Sequence, residues 1–166
     1  MGANAANQKP TRNAESPVSL TKSAARPVAA ADDNFNLSNY LYMIKQIKEF
    51  ILFSIIFTAI DAVYLYSSSK YFNSQIKTIQ GTDLKLKTIS TLLCYLTLTV
   101  GIFYFGIIKN LNINELFFLG IFVYGVYEFT NHAIFKKWKW KTVFMDTIWG
   151  GILFASSVYI FRKITN

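Results

Sequence analysis

The chain has 166 residues, 52% of them hydrophobic and 17% aromatic, and a mean hydropathy of +0.29. That is too apolar for an ordinary soluble domain, and the length allows a single membrane domain. The net charge of +8 does not point to nucleic acid, because the Lys and Arg residues are spread through the N-terminal segment and between apolar runs instead of along one amphipathic face.

Residues 1–37 are rich in Ala, Asn, Ser and Pro and carry few large apolar side chains. Such a segment buries too little surface to offset its ordering entropy, so a disordered tail is expected. It has no apolar core of a secretory signal, and Glu15, Asp32 and Asp33 argue against a mitochondrial presequence. Met1-Gly2-Ala3-Asn4-Ala5-Ala6 resembles a myristoylation start, with Ala6 where Ser or Thr is preferred.

From Ser38, where residues 38–166 form the membrane domain, the pattern changes. Leu41, Ile44, Ile47 and Ile51 recur at helical spacing, with Lys45, Gln46, Lys48 and Glu49 on the other face. This predicts an amphipathic helix, capped by Ser38, that lies at the interface or begins the first span. Four spans follow, at about residues 50–69, 88–108, 115–135 and 142–161. Each has the ~20 residues that match a bilayer of roughly 30 Å. The expected fold is therefore all-α, an integral membrane four-helix bundle with both termini on one side, in a membrane the sequence does not specify. The single cysteine, Cys94, falls inside the second span, so no intrachain disulfide is possible.

The connections differ in character. Residues 70–87 read as a basic linker broken at Gly81-Thr82-Asp83, and Lys109–Asn114 as a tight turn. The third is Lys136-Lys137-Trp138-Lys139-Trp140-Lys141, whose cations suit lipid phosphate and whose indoles suit the headgroup layer. The expected partners are the bilayer itself and anionic lipid, with a homo-oligomer left open and no nucleic acid. Basic residues are nearly balanced across the two sides, so the positive-inside rule does not orient the chain.

Three carboxylates lie inside these spans: Asp61, Glu128 and Asp146. An ionised carboxylate in hydrocarbon costs at least ~2.5 kcal/mol, so each needs a partner, a proton or water. Counting along the helices puts them ~12, ~10 and ~6 Å from their span ends, all in the half of the membrane next to the Lys/Trp loop. Tyr124, Gly125, Glu128, Asn131, His132 and Phe135 share one face of the third span. Ser54, Thr58, Asp61 and Ser68 form a strip on the first, and Asp146, Trp149, Gly150 and Ser157 on the fourth. Thr91, Thr97 and Thr99 add hydroxyls on the second, unless they bond to their own backbone. Gly150, Gly151 and Ala155 read as a close-packing surface.

Glu128 and His132, four residues apart, would present a carboxylate and an imidazole to a common ion, with Asp61 and Asp146 completing a ligand set. One histidine without paired cysteines falls short of a zinc motif, and no cofactor is expected. The alternative is an interhelical network in which a protonated carboxyl bonds to Asn131, Thr130, a Tyr hydroxyl or His132. The sequence shows no nucleophile elbow and no phosphate-binding glycine loop.

Glu128-Phe129-Thr130-Asn131-His132-Ala133, then Trp138, then Asp146-Thr147-Ile148-Trp149-Gly150 resemble, without a gap, the signature of a small four-span membrane protein family, domain of unknown function 2177. Asp61-Ala62-Val63-Tyr64-Leu65 resembles that family's first-span motif, with Tyr64 replacing Trp. Glu128 stands where the family has Asp, Lys139 where it has Pro, and His132 where it does not place histidine. The resemblance covers about residues 50–163. It implies the four-span fold and favours Asp61, Glu128, Asn131, Asp146 and Trp149 over His132, but it supplies no chemistry.

Three functions are therefore expected as alternatives. The first is a multi-pass membrane protein whose buried acidic cluster handles a proton, cation or small polar solute. The second is a structural or assembly protein in which the cluster fixes helix packing. The third is a membrane-embedded metalloenzyme.

Overall fold

The computed structural model describes residues 28–165, and within them the chain is helical with no strand. The myristoylation motif and most of the expected disordered tail lie outside the described residues. Four helices are long and apolar enough to cross a membrane: α1 (Val28–Gln80), α2 (Thr88–Ile102, continued by a π-helical turn over Phe103–Ile108), α3 (Ile113–Ile134) and α4 (Trp140–Thr165). Tyr40–Asn166 forms one compact unit.

The first helix is longer at both ends than its expected span. It starts at Val28, ahead of the boundary expected at Ser38, where Ala29, Ala30 and Ala31 supply the best helix-forming residue. Ser38 therefore caps nothing, and its hydroxyl donates back to the Phe35 carbonyl at 3.0 Å. The amphipathic stretch over residues 38–49 runs straight into the span, the second of the two placements the sequence allowed. At the far end the helix takes in the first half of the expected basic linker and stops at Gly81. That glycine has φ +78° and sends its N–H back to the Lys77 carbonyl at 2.9 Å. A left-handed residue at this point favours glycine and ends the helix. Residues 81–87 then fold back along α1, where the Asn73 side chain accepts the Leu84 N–H at 2.9 Å and Lys77 pairs with Asp83 at 3.0 Å.

The turn between α2 and α3 is tight, as expected. Asn110 takes φ 53°. Asn112 and Glu115 close a reciprocal capping box, with both backbone-to-side-chain distances at 2.9 Å. Arg162 of α4 donates to the carbonyls of Gly106 and Leu111, both at 2.7 Å. It thereby satisfies backbone oxygens that the π-helical turn and the following loop leave without helical partners.

Packing divides the bundle into two zones. Toward the α2–α3 turn the interior is apolar and aromatic: Phe53 and Phe57 of α1 meet Phe103, Leu116, Leu153, Phe154, Val158 and Phe161. Phe53 and Phe161 sit edge to face at 5.7 Å, an arrangement favoured by ring quadrupoles. Toward the α3–α4 loop the same interior becomes polar. The inward stripe of α1 changes from Phe53 and Phe57 to Asp61 and Tyr64, and lower down to Tyr71 and Gln75. The strip expected on α1 is thus corrected. Thr58 faces outward, and Ser54 spends its hydroxyl on the Phe50 carbonyl at 2.8 Å. The deciding factor is size, since five phenylalanines fill the apolar zone where small hydroxyls would leave voids.

Helices α3 and α4 approach each other through glycine. A Cβ on Gly120 would stand 2.2 Å from the Gly150 carbonyl oxygen, and one on Gly151 would stand 2.8 Å from the Phe117 ring. The close-packing surface expected at Gly150 and Gly151 is therefore present. Thr91, Thr97 and Thr99 of α2 bond to the chain's own backbone, Thr91 to Lys87, Thr97 to Leu93 and Thr99 to Tyr95.

Candidate functional site

The polar zone contains all three intramembrane carboxylates. Asp61, 7% exposed, accepts hydrogen bonds on both oxygens: Oδ1 from the Trp149 indole at 2.9 Å, and Oδ2 from the Tyr95 hydroxyl. One carboxylate thus ties α1 to α4 and α2. Asp146 Oδ1 accepts the Tyr64 hydroxyl, and the Tyr64 ring stacks on Trp149 with centroids 4.2 Å apart and planes within 10°. Asp61, Tyr64, Asp146 and Trp149 therefore form one interlocked group across α1 and α4.

Glu128 of α3 is fully buried. Its Oε2 accepts the Trp138 indole N–H at 2.8 Å, whereas its Oε1 has no hydrogen-bonding partner. Asp146 lies within side-chain hydrogen-bonding reach of Glu128, so the two carboxyls are placed to share a proton. The amide nitrogen of Asn131, three residues on from Glu128, and the hydroxyl of Thr147, next to Asp146 in the chain, are also buried without partners. Buried polar atoms in native folds are nearly always bonded, so unpaired ones call for an explanation. Glu128, Trp138 and Asp146 line a cleft of about 400 Å³, within the roughly 300–1,000 Å³ typical of small-molecule sites. Its remaining walls are Leu65, Ser69, Phe72, Ile76, Leu84, Leu86 and Tyr127.

The end of the cleft is fixed by the α3–α4 loop. Gln75, fully buried, donates to the Lys137 carbonyl at 2.9 Å, and the Tyr71 and Thr142 hydroxyls lie 2.9 Å apart. Lys139 and Lys141 set their ammonium groups 5.8 and 5.0 Å from the centre of the Tyr71 ring, within range of cation–π attraction. The expected interfacial residues thus divide. Lys136, Lys137, Lys139, Trp140 and Lys141 stay exposed, while Trp138 turns inward as the donor to Glu128.

His132 stands apart from the carboxylates. Its ring packs on Trp140 at 4.0 Å between centroids. Of the partners the interhelical-network alternative offered, Tyr hydroxyls are the ones in place, Tyr95 on Asp61 and Tyr64 on Asp146, while Glu128 is bonded by Trp138 and by neither His132 nor Asn131. Among the described residues no three His, Cys, Asp or Glu side chains stand close enough to hold a metal ion, so Glu128, His132, Asp61 and Asp146 do not form a ligand set. Charge compensation is missing too. Among the described residues the salt bridges are Lys45–Glu49 and Lys77–Asp83, and neither involves an intramembrane carboxylate.

Sequence reading missed Tyr95, Gln75 and Tyr71. Tyr95 had a signal, since it lies four residues before Thr99 on a helix otherwise without a proton donor large enough to cross to α1. Gln75 and Tyr71 had none, because they fell in a segment expected to be a loop.

A four-helix integral membrane protein with a polar pocket in one half of its bundle is the class that this fold and site define. Residues 46–161 match the family described as predicted membrane protein (DUF2177), and the chain belongs to that family. No curated protein and no solved structure matches it.

Proposed function

We propose that the protein binds and passes a cation, either a proton or a small cationic solute, through Glu128 and Asp146. The observation that carries this reading is the free Oε1 of Glu128, fully buried beside Asp146 at a cleft. A carboxyl whose neighbours are a neutral indole donor and a second carboxyl still needs a proton or a cation to offset an insertion cost of at least ~2.5 kcal/mol. Asp61 has a different part in this reading. Both of its oxygens are taken by side chains from two other helices, so it holds the bundle together around the site.

Flux through proteoliposomes containing the purified protein tests the proposal. Native protein should carry protons or a monovalent cation. Glu128→Gln and Asp146→Asn should each lower the rate by about tenfold or more, equal to ~1.4 kcal/mol or more on the barrier. Asp61→Asn should instead lower folded yield. An inactive native protein, or rates unchanged in both cleft variants, would overturn it. The satisfied bonds of Asp61 favour a second reading, in which the cluster serves helix assembly alone. On that reading all three substitutions reduce folded yield and leave no transport to lose.

A further inference from the structure

We propose that the cleft is a site for an amphipathic monoamine, with its ammonium group between Glu128 and Asp146 and its hydrocarbon chain along Leu65, Leu84 and Leu86. This rests on the cation-binding role of the two carboxyls and names the ligand class they serve.

Three observations select that class. The lining includes two carboxyl groups and no Lys, Arg or His, so an anion finds no partner and the phosphate of a zwitterionic headgroup none either. Most of the remaining lining is hydrocarbon, whereas a divalent cation such as Ca²⁺ or Mg²⁺ requires about six or more oxygen ligands. An alkyl chain gains from those same walls at about 0.8 kcal/mol per buried methylene. The third observation concerns the polar end, where Oε1 of Glu128 is buried without a donor and the rings of Trp138 and Tyr127 adjoin the carboxyls. An alkylammonium supplies N–H donors to the first and a cation to the second. Leu65, Leu84 and Leu86 are themselves 43%, 43% and 72% exposed on the outer face of the bundle. The apolar wall is thus open at the outer face of the bundle, and the ligand reaches the carboxyls from that side.

The test is equilibrium binding of radiolabelled dodecylamine to the full chain in phosphatidylcholine nanodiscs, corrected for partition into empty discs. Binding should saturate near one equivalent per chain, and unlabelled dodecylamine should displace the label while 1-dodecanol and dodecanoate should not. Glu128→Gln and Asp146→Asn should weaken it by about tenfold or more. Leu65→Trp, placed on the exposed wall, fills the apolar part of the cleft without touching either carboxyl. It should weaken dodecylamine binding while its thermal unfolding in the same nanodiscs stays near native, which keeps the test decisive should Glu128→Gln fail to fold. Displacement by dodecanol as effective as by dodecylamine, or native affinity in Leu65→Trp, would overturn the site. Absent amine binding with native flux still sensitive to Glu128→Gln would sink this inference alone. Saturable amine binding without any flux would uphold the site and sink transport.

Discussion

Asp61 accepts the Tyr95 hydroxyl and the Trp149 indole on separate oxygens, so the two donors act through one carboxylate and their removal should not be independent. Tyr95→Phe deletes one hydrogen bond to a charged or proton-sharing group, a loss of about 1.5–3 kcal/mol, and Trp149→Phe deletes another together with part of the stack on Tyr64. Groups that share a partner couple by ~0.5 kcal/mol or more in a double-mutant cycle, whereas separate sites add. Unfolding in mixed micelles should therefore show each variant destabilised and the pair non-additive. Additivity would mean that the two side chains stabilise the bundle by packing alone. Glu128 differs in having one donor and one free oxygen. Trp138→Phe should thus perturb the cleft and its cation more than the stability of the helices around Asp61.

At the level of helices, α3 and α4 are held close by the absence of side chains. A methyl group on Gly120 would meet the Gly150 backbone carbonyl at 2.2 Å, and backbone cannot rotate away as a side-chain tip can. Gly120→Ala should separate the helices and cost about 1–3 kcal/mol. Gly101, on α2, has nothing within 4 Å of the corresponding position. There Gly101→Ala should be neutral or stabilising by up to ~1 kcal/mol, the helix-propensity gain. Thermal unfolding of the pair in one detergent would check this, and similar losses at both glycines would refute the close approach. The packing surface at Gly150 and Gly151 was legible because Gly151 and Ala155, small residues four apart within an apolar run, have few other uses. The extension of α1 to Gln80 was not, since Lys70, Asn73, Gln75 and Lys77 look like a loop when the membrane is assumed to end the helix. The Asn112–Glu115 box was written in the sequence as Asn-x-x-Glu ahead of an apolar run, and only the span boundary obscured it.

For the whole molecule, the four spans and the polar end of their bundle could be read from hydropathy and helical spacing, because both depend on residue type and period alone. Which donor meets which carboxylate depends on how a loop folds. Trp138 illustrates the limit, since its Lys-rich setting reads as interfacial while its indole closes the site on Glu128. The lysines around it face outward, and we propose that they engage anionic lipid at that surface. A Lys near an anionic leaflet contributes about 1 kcal/mol, screened over a Debye length of about 8 Å at physiological salt. Lys139 and Lys141 are partly engaged by the Tyr71 ring, so Lys136 and Lys137 should account for most of the effect. In nanodiscs, raising the anionic-lipid fraction should stabilise the native protein against heat at low salt and less so at high salt. Lys136→Gln together with Lys137→Gln should remove most of that gain, and Lys139→Gln with Lys141→Gln a smaller part. Equal stabilisation of native and Lys136→Gln/Lys137→Gln protein would show that the loop is held by its contacts with Tyr71 and Gln75, and that lipid charge plays no part in seating the bundle.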